Sequence, residues 1–285
     1  MPKLKIGLGQ ARRLTQMKYD ERLQFIAEGL PIIVASAAGF LAAAEALKAD
    51  RPRETDVLKG FAEEEAAKAL ILIDIVRCPP KLVASKIGTM IGWFYDHLAR
   101  LIYAKASSWR PTTVTQLQEY VNHNRATHYL DGNYSEYIFP NQELYFRESR
   151  LYADVGAHED GRPYWNEPKS YTDALLRFEP PAYRALSALA ALGAFSSGGL
   201  KIVADTWAQQ EFRDAETHID AERLVQTMLE RLVEKGLPTE SATHDHVAML
   251  YGAWQMPMYN IDLRPIETTI EELQLIRDSE YPGSW

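Results

Sequence analysis

The sequence has a single cysteine, Cys78, so no disulfide can form within the chain and a cysteine-based zinc site is excluded. Near-absence of cysteine suits a reducing, cytoplasmic setting. No apolar core of a secretory signal follows the charged start Met1-Pro-Lys-Leu-Lys. The longest uncharged apolar stretch, Leu30 to Ala44, falls short of the roughly 20 residues that a membrane span needs. It contains Pro31 and Gly39 and is expected to be a buried core helix, with no membrane partner. There is no Gly-x(4)-Gly-Lys-Ser/Thr for a phosphate loop, and Gly7-Leu8-Gly9 lacks the strand-to-helix setting of a dinucleotide fingerprint. Ser196-Ser197-Gly198-Gly199 follows no strand and reads as a helix boundary rather than a nucleophile elbow. Internal repeats, low-complexity tracts and Gly/Ser linkers are also missing, which favours one compact unit.

What remains is an ordinary globular composition over 285 residues, 46% apolar and 25% charged. The net charge of −8 argues against indiscriminate binding to nucleic acid. The charge is uneven, however. Between residues 77 and 110, Arg77, Lys81, Lys86, Arg100, Lys105 and Arg110 face only Asp96, and residues 1–18 carry five cations without an acid. Such segments could admit one anionic ligand, although ordinary surface fluctuation gives the same pattern.

Apolar spacing predicts an all-α fold. The first long helix is expected from Glu21, capped by Asp20, to the break at Arg51-Pro52. The second runs from about Thr55 to Pro79-Pro80, the third from about Leu82 to Ser107, and the fourth from Thr113 to about Tyr129. Residues 131–170 are rich in tyrosine and turn formers. They read as an irregular insertion in which residues 151–155 and 162–165 form a short hairpin. Helices resume at Tyr171 and form a C-terminal lobe over 171–285, with a last amphipathic helix from Ile266 to Ile276.

Several groups of residues suggest chemistry. Glu64 and Lys68 share a face of the second helix, where a surface ion pair is the plain explanation. His97 and Arg100 share a face of the third. Arg125 and His128 are expected on one face of the fourth, where a cation pair at a helix end is equally good. Arg213 and His218 offer a second arginine–histidine pair. Thr243-His244-Asp245-His246, with His218 and Asp262, could be the dyad and further ligands of a metal-dependent HD-type phosphohydrolase, or Thr243 could simply cap a helix.

The order of these features carries a resemblance. An Ala-rich helix, then Ala62-Glu63-Glu64-Glu65-Ala66-Ala67-Lys68-Ala69, then Phe94-Tyr95-Asp96-His97-Leu98-Ala99-Arg100, resembles the AbiV-type branch of the HEPN superfamily over roughly residues 20–130. The resemblance implies a HEPN-like helical bundle over residues 1–130, and a role in abortive infection or as a toxin. It also implies metal-independent RNA cleavage by a homodimer without a cofactor, with a phage protein or antitoxin as partner. Carried over by position, Glu64, Glu65, Lys68, His97 and Arg100 are its site residues, His97 as acid and base and Arg100 as phosphate clamp. An imidazole changes charge near neutral pH and can shuttle the 2′-hydroxyl proton, while a guanidinium stays charged. The chain departs from the wider superfamily, whose Arg-x(4–6)-His is shortened here to Arg125-Ala126-Thr127-His128. A non-catalytic interaction protein of the same fold stays open beside the nuclease.

Overall fold

The computed structural model describes residues 6–132, 137–157, 162–171 and 179–280. The basic residues before Ile6, the start of the C-terminal lobe at 172–178 and the tail ending in Trp285 lie outside them.

The described chain is all-α apart from two short hairpins. A short α1 (Ile6–Ala11) and a 3-10 turn (Arg12–Thr15) lead into α2 (Tyr19–Leu47). This helix starts two residues before its expected start at Glu21, so Asp20 lies in its first turn, where its charge favours the helix dipole. It packs along α3 (Pro52–Arg77), which begins with proline at its first turn and stops before Pro79. Only one side of α2 is covered. Leu23, Ile26, Leu30, Ile33, Ala37 and Ala44 are buried, whereas Phe25, Ile32 and Leu47 are exposed. Among the described residues α2 is the one helix long and apolar enough to cross a membrane, and 17% of its most apolar window is buried. The expected buried core helix is therefore covered on one side only, and its outer side is also apolar.

The expected third helix is two helices, α4 (Pro80–Tyr95) and α5 (His97–Ser107). Asp96 has extended backbone angles and its carboxylate accepts from the Ala99 amide at 2.9 Å, so it starts a new helix instead of continuing the old one. Next, α6 (Val114–Asn124) is capped by Thr113 and ends five residues early. The chain then turns into β1 (His128–Asp131), paired antiparallel with β2 (Tyr137–Pro140).

The Tyr-rich insertion holds more order than its composition promises. Asn141 accepts from the amides of Glu143 and Leu144 and starts α7 (Gln142–Leu151), which packs on α3 and α5. The expected hairpin forms between β3 (Asp154–Ala157) and β4 (Pro163–Asn166). The C-terminal lobe comprises α8 (Pro181–Ala191), α9 (Ser197–Trp207), α10 (His218–Glu234), α11 (His244–Ala253) and α12 (Ile270–Glu280), the last shifted four residues from its expected start.

The two lobes share one core. Asp74 and Arg77 of α3 are both fully buried and ion-paired. Arg77 lies between the rings of Trp207 and Trp254, 4.7 and 4.1 Å from their centroids, and donates to the Gln255 carbonyl at 2.9 Å. Asp74 accepts from the Tyr103 hydroxyl at 2.7 Å and the Met258 amide at 2.8 Å. A buried charge is tolerated only when fully paired and hydrogen-bonded. The partners here come from α3, α5, α9 and the segment after α11.

Candidate functional site

The site begins with four alanines. Ala62, Ala66, Ala67 and Ala69 of α3 are completely buried, and their small side chains let neighbouring helices approach the α3 backbone closely. Glu64 stands among them and is buried with them. A carboxylate so placed needs compensating donors, and two guanidiniums and an imidazole surround it. His97 Nδ1 is 2.9 Å from Glu64 Oε2, Arg100 Nη2 is 3.0 Å from the same oxygen, and Arg147 Nε donates to Oε1 at 2.8 Å. Burial, the largest single influence, pushes the Glu64 carboxyl up. Hydrogen bonds from Arg147 and His97, together with the charges of Arg100 and Arg147, outweigh it and hold the group below its ordinary range.

The break at Asp96 makes this arrangement. It places His97 in the first turn of α5, with Arg100 one turn on, and both side chains turn back onto α3. His97 Nδ1 stands between two groups, Glu64 Oε2 at 2.9 Å and Arg100 Nη2 at 2.6 Å. Protonated at Nδ1 the ring donates to Glu64; protonated at Nε2 it accepts from Arg100, whose Nη2 also lies 3.0 Å from Glu64 Oε2. The His97 side chain is 52% exposed, against 11% for Arg100 and 16% for Arg147. The imidazole is thus the member of the cluster that solvent can reach.

No family model, curated protein or solved structure matches this chain.

The remaining expected residues are arranged differently. Lys68 does not pair with Glu64; it binds Glu65 at 2.8 Å and lies over the Phe94 ring at 5.0 Å. Glu64 is therefore a buried hub, not half of a surface pair. Arg125 and His128 do not share a helical face, because α6 has ended. Arg125 pairs with Asp262 at 2.8 Å, and His128 Nδ1 lies 3.2 Å from the Thr268 carbonyl, so both pin the C-terminal segment. Arg213 is exposed and bonded to Glu211. His218 lies 3.0 Å from Glu222 Oε1, and burial, then the charge of Arg110, hold its imidazole below its ordinary range. No hydrogen bond or ion pair joins Arg213 to His218.

Thr243 caps α11 in a reciprocal box with His246, and Asp245 lies in the first turn, where its charge suits the helix dipole. Among the described residues no three His, Cys, Asp or Glu side chains are grouped as a metal would require. The residue that sequence reasoning missed is Arg147. It comes from α7, 83 positions away from its partner, and only the cap at Asn141 followed by the apolar spacing of Leu144 and Leu151 marks that helix in the sequence.

Proposed function

We propose that this chain is a metal-independent endoribonuclease of the AbiV-like HEPN type, acting in phage defence or as a toxin. The pairing of buried Glu64 with exposed His97 carries the reading. With its proton on Nδ1, the half-exposed imidazole is oriented by the carboxylate and offers Nε2 as the base, the arrangement general-base catalysis needs. RNA provides its own nucleophile. His97 Nε2 takes the proton of a 2′-hydroxyl, the 2′-oxygen bonds to phosphorus, and the 5′-oxygen leaves with the proton returned by the imidazolium. The products are a 2′,3′-cyclic phosphate and a free 5′-hydroxyl.

Arg100 takes a different part from the phosphate clamp that the resemblance implies. It is largely covered and bonded to Glu64, so it acts as a positioning residue and as a fixed positive charge beside the imidazole. Arg147 holds the opposite oxygen of Glu64 and completes the frame. Glu65 and Lys68 serve the neighbouring α3–α4 contact. RNA, a second copy of the chain, and a phage activator or antitoxin remain the partners of this reading.

The test is incubation of purified chain with end-labelled RNA in the presence of a chelator. We expect cyclic-phosphate ends, with cleavage lost in His97→Ala while circular dichroism shows the fold retained. Equal cleavage by wild type and His97→Ala, or by neither, removes the nuclease. The second reading, a non-catalytic interaction protein of the same fold, draws on the uncovered apolar side of α2 at Phe25, Ile32 and Leu47. It predicts growth arrest that survives His97→Ala.

A further inference from the structure

A cavity of about 150 Å³ opens between α3, α5 and α7, lined by Glu64 but not by His97. Val57 and Phe61 of α3, Leu101 of α5, and Phe146 and Leu151 of α7 give it apolar walls. Four carboxylates also line it, and three are already engaged. Glu64 is engaged by Arg100, Arg147 and His97, Glu143 is bonded to Lys105, and Asp56 accepts from the Tyr171 amide at 3.2 Å. Glu63 makes no hydrogen bond or close ion pair with any described residue, although it is only partly exposed and lines the cavity. Of the two guanidiniums of the lining, Arg147 binds Glu64 and Glu148, while Arg150 lies over the Tyr171 ring at 5.2 Å with its Nε buried and without a hydrogen-bond partner.

An unpartnered carboxyl at the end of an apolar cleft asks for a ligand with one cationic donor and a short hydrocarbon body. We propose that this cavity binds a small primary ammonium ion on an alkyl chain, with Glu63 as its counter-charge. A free amine metabolite and a lysine side chain share this chemistry. An anion is disfavoured because four carboxylates line the cavity against two guanidiniums, and Arg147 is already paired. The size agrees: a dry cavity of roughly 150 Å³ holds a molecule as large as benzene, and butylammonium is smaller. This site goes beyond the nuclease reading and does not depend on it.

The groups facing Glu63 set its response to pH. Asp56 and Glu64 lie on α3, and Glu143, Arg147 and Arg150 on α7; α5 contributes Arg100 and Lys105 only through Glu64 and Glu143. Burial pushes the Glu63 carboxyl up to about 7, the charge of Glu143 adds to this, and Arg150 opposes it. Binding of an ammonium ion therefore strengthens as pH rises through that value.

The test is calorimetric titration of the full chain with butylammonium chloride, using sodium butyrate as the opposite-sign control. We expect a dissociation constant on the order of a millimolar for the amine and no detectable binding of butyrate. Glu63→Gln should weaken amine binding by at least about tenfold, through loss of the counter-charge. Gly60 lines the same cavity, and a Cβ there would meet open space, so Gly60→Met fills the cleft without a backbone clash and should abolish binding. His97→Ala should bind butylammonium as wild type does, whether or not RNA cleavage is lost. Unaltered affinity in Glu63→Gln or Gly60→Met, butyrate binding as tight as the amine, or an affinity flat between pH 6 and 8 would each overturn the assignment. To separate the two sources, free butylammonium should be compared with a lysine-containing peptide: a peptide that competes assigns the cleft to a side chain, and one that does not assigns it to a free amine.

Discussion

Glu64→Gln isolates the charge of the buried hub while keeping its shape. The amide can still accept one hydrogen bond, but Arg100 and Arg147 lose their counter-ion and the amide NH2 must face a donor. Removing one member of a fully buried ion pair costs about 3–5 kcal/mol. The side chains of Arg100 and Arg147 are 11% and 16% exposed and that of His97 about half exposed, so solvent screens part of the loss and about 2 kcal/mol is expected at pH 7. The pH dependence gives an internal control. The folded chain holds the Glu64 carboxyl below its ordinary 4.5, so its contribution is present above that pH and fades as pH falls through the lowered folded value. Urea unfolding followed by circular dichroism, at pH 7 and in acid, measures both. The difference between wild type and Glu64→Gln should shrink in acid. A change under about 0.5 kcal/mol at pH 7, or an equal change at both pH values, would refute the account of Glu64 as a charged hub.

The opposite sign is expected for Glu63→Gln. A carboxyl raised to about 7 in the folded chain costs stability as pH climbs from 4.5 through 7, so Glu63→Gln should unfold at higher urea than wild type at pH 8 and at equal urea near pH 4. Cys78 is buried and burial pushes its thiol up to about 12; a thiol reagent should therefore leave the native chain untouched and label it only in denaturant. Gly193 has φ +78°, and a Cβ there would lie 2.2 Å from the Leu237 carbonyl oxygen, so Gly193→Ala should lower stability by more than about 1 kcal/mol. Gly88, exposed within α4 with open space around it, should gain about 0.5–1 kcal/mol as Gly88→Ala in the same melts.

The long helices were legible because their apolar spacing spans many turns. Thus α3 lies within a few residues of its expected bounds, and the Arg51-Pro52 and Pro79-Pro80 breaks fall where proline geometry requires. The split at Asp96 was not legible. Phe94, Tyr95 and Leu98 continue the helical period through it, and a capping carboxylate inside an unbroken period looks like any surface acid. Only tertiary packing selects the extended conformation at that position. The same split brings His97 and Arg100 to Glu64, so these three residues were nameable from sequence while their meeting point was not. Arg147 was hidden twice, once by its distance along the chain and once by the tyrosines around it, which suggested loop where α7 forms. Arg125 and His128 failed because a helix period was extended past Asn124 into residues that pair as a strand.

Arg77 has a bearing on how the gene could be divided. Its guanidinium belongs to the first half of the chain, while the two indoles that sandwich it and the carbonyl it donates to are encoded more than a hundred codons downstream. A fragment stopping near residue 130 would keep the Asp74–Arg77 ion pair but lose the indoles and the backbone groups of Gln255 and Met258 that cover it, and one starting near 171 would carry two tryptophans with nothing between them. Neither piece should accumulate as a folded product, whereas the two produced together could reassemble around that single side chain.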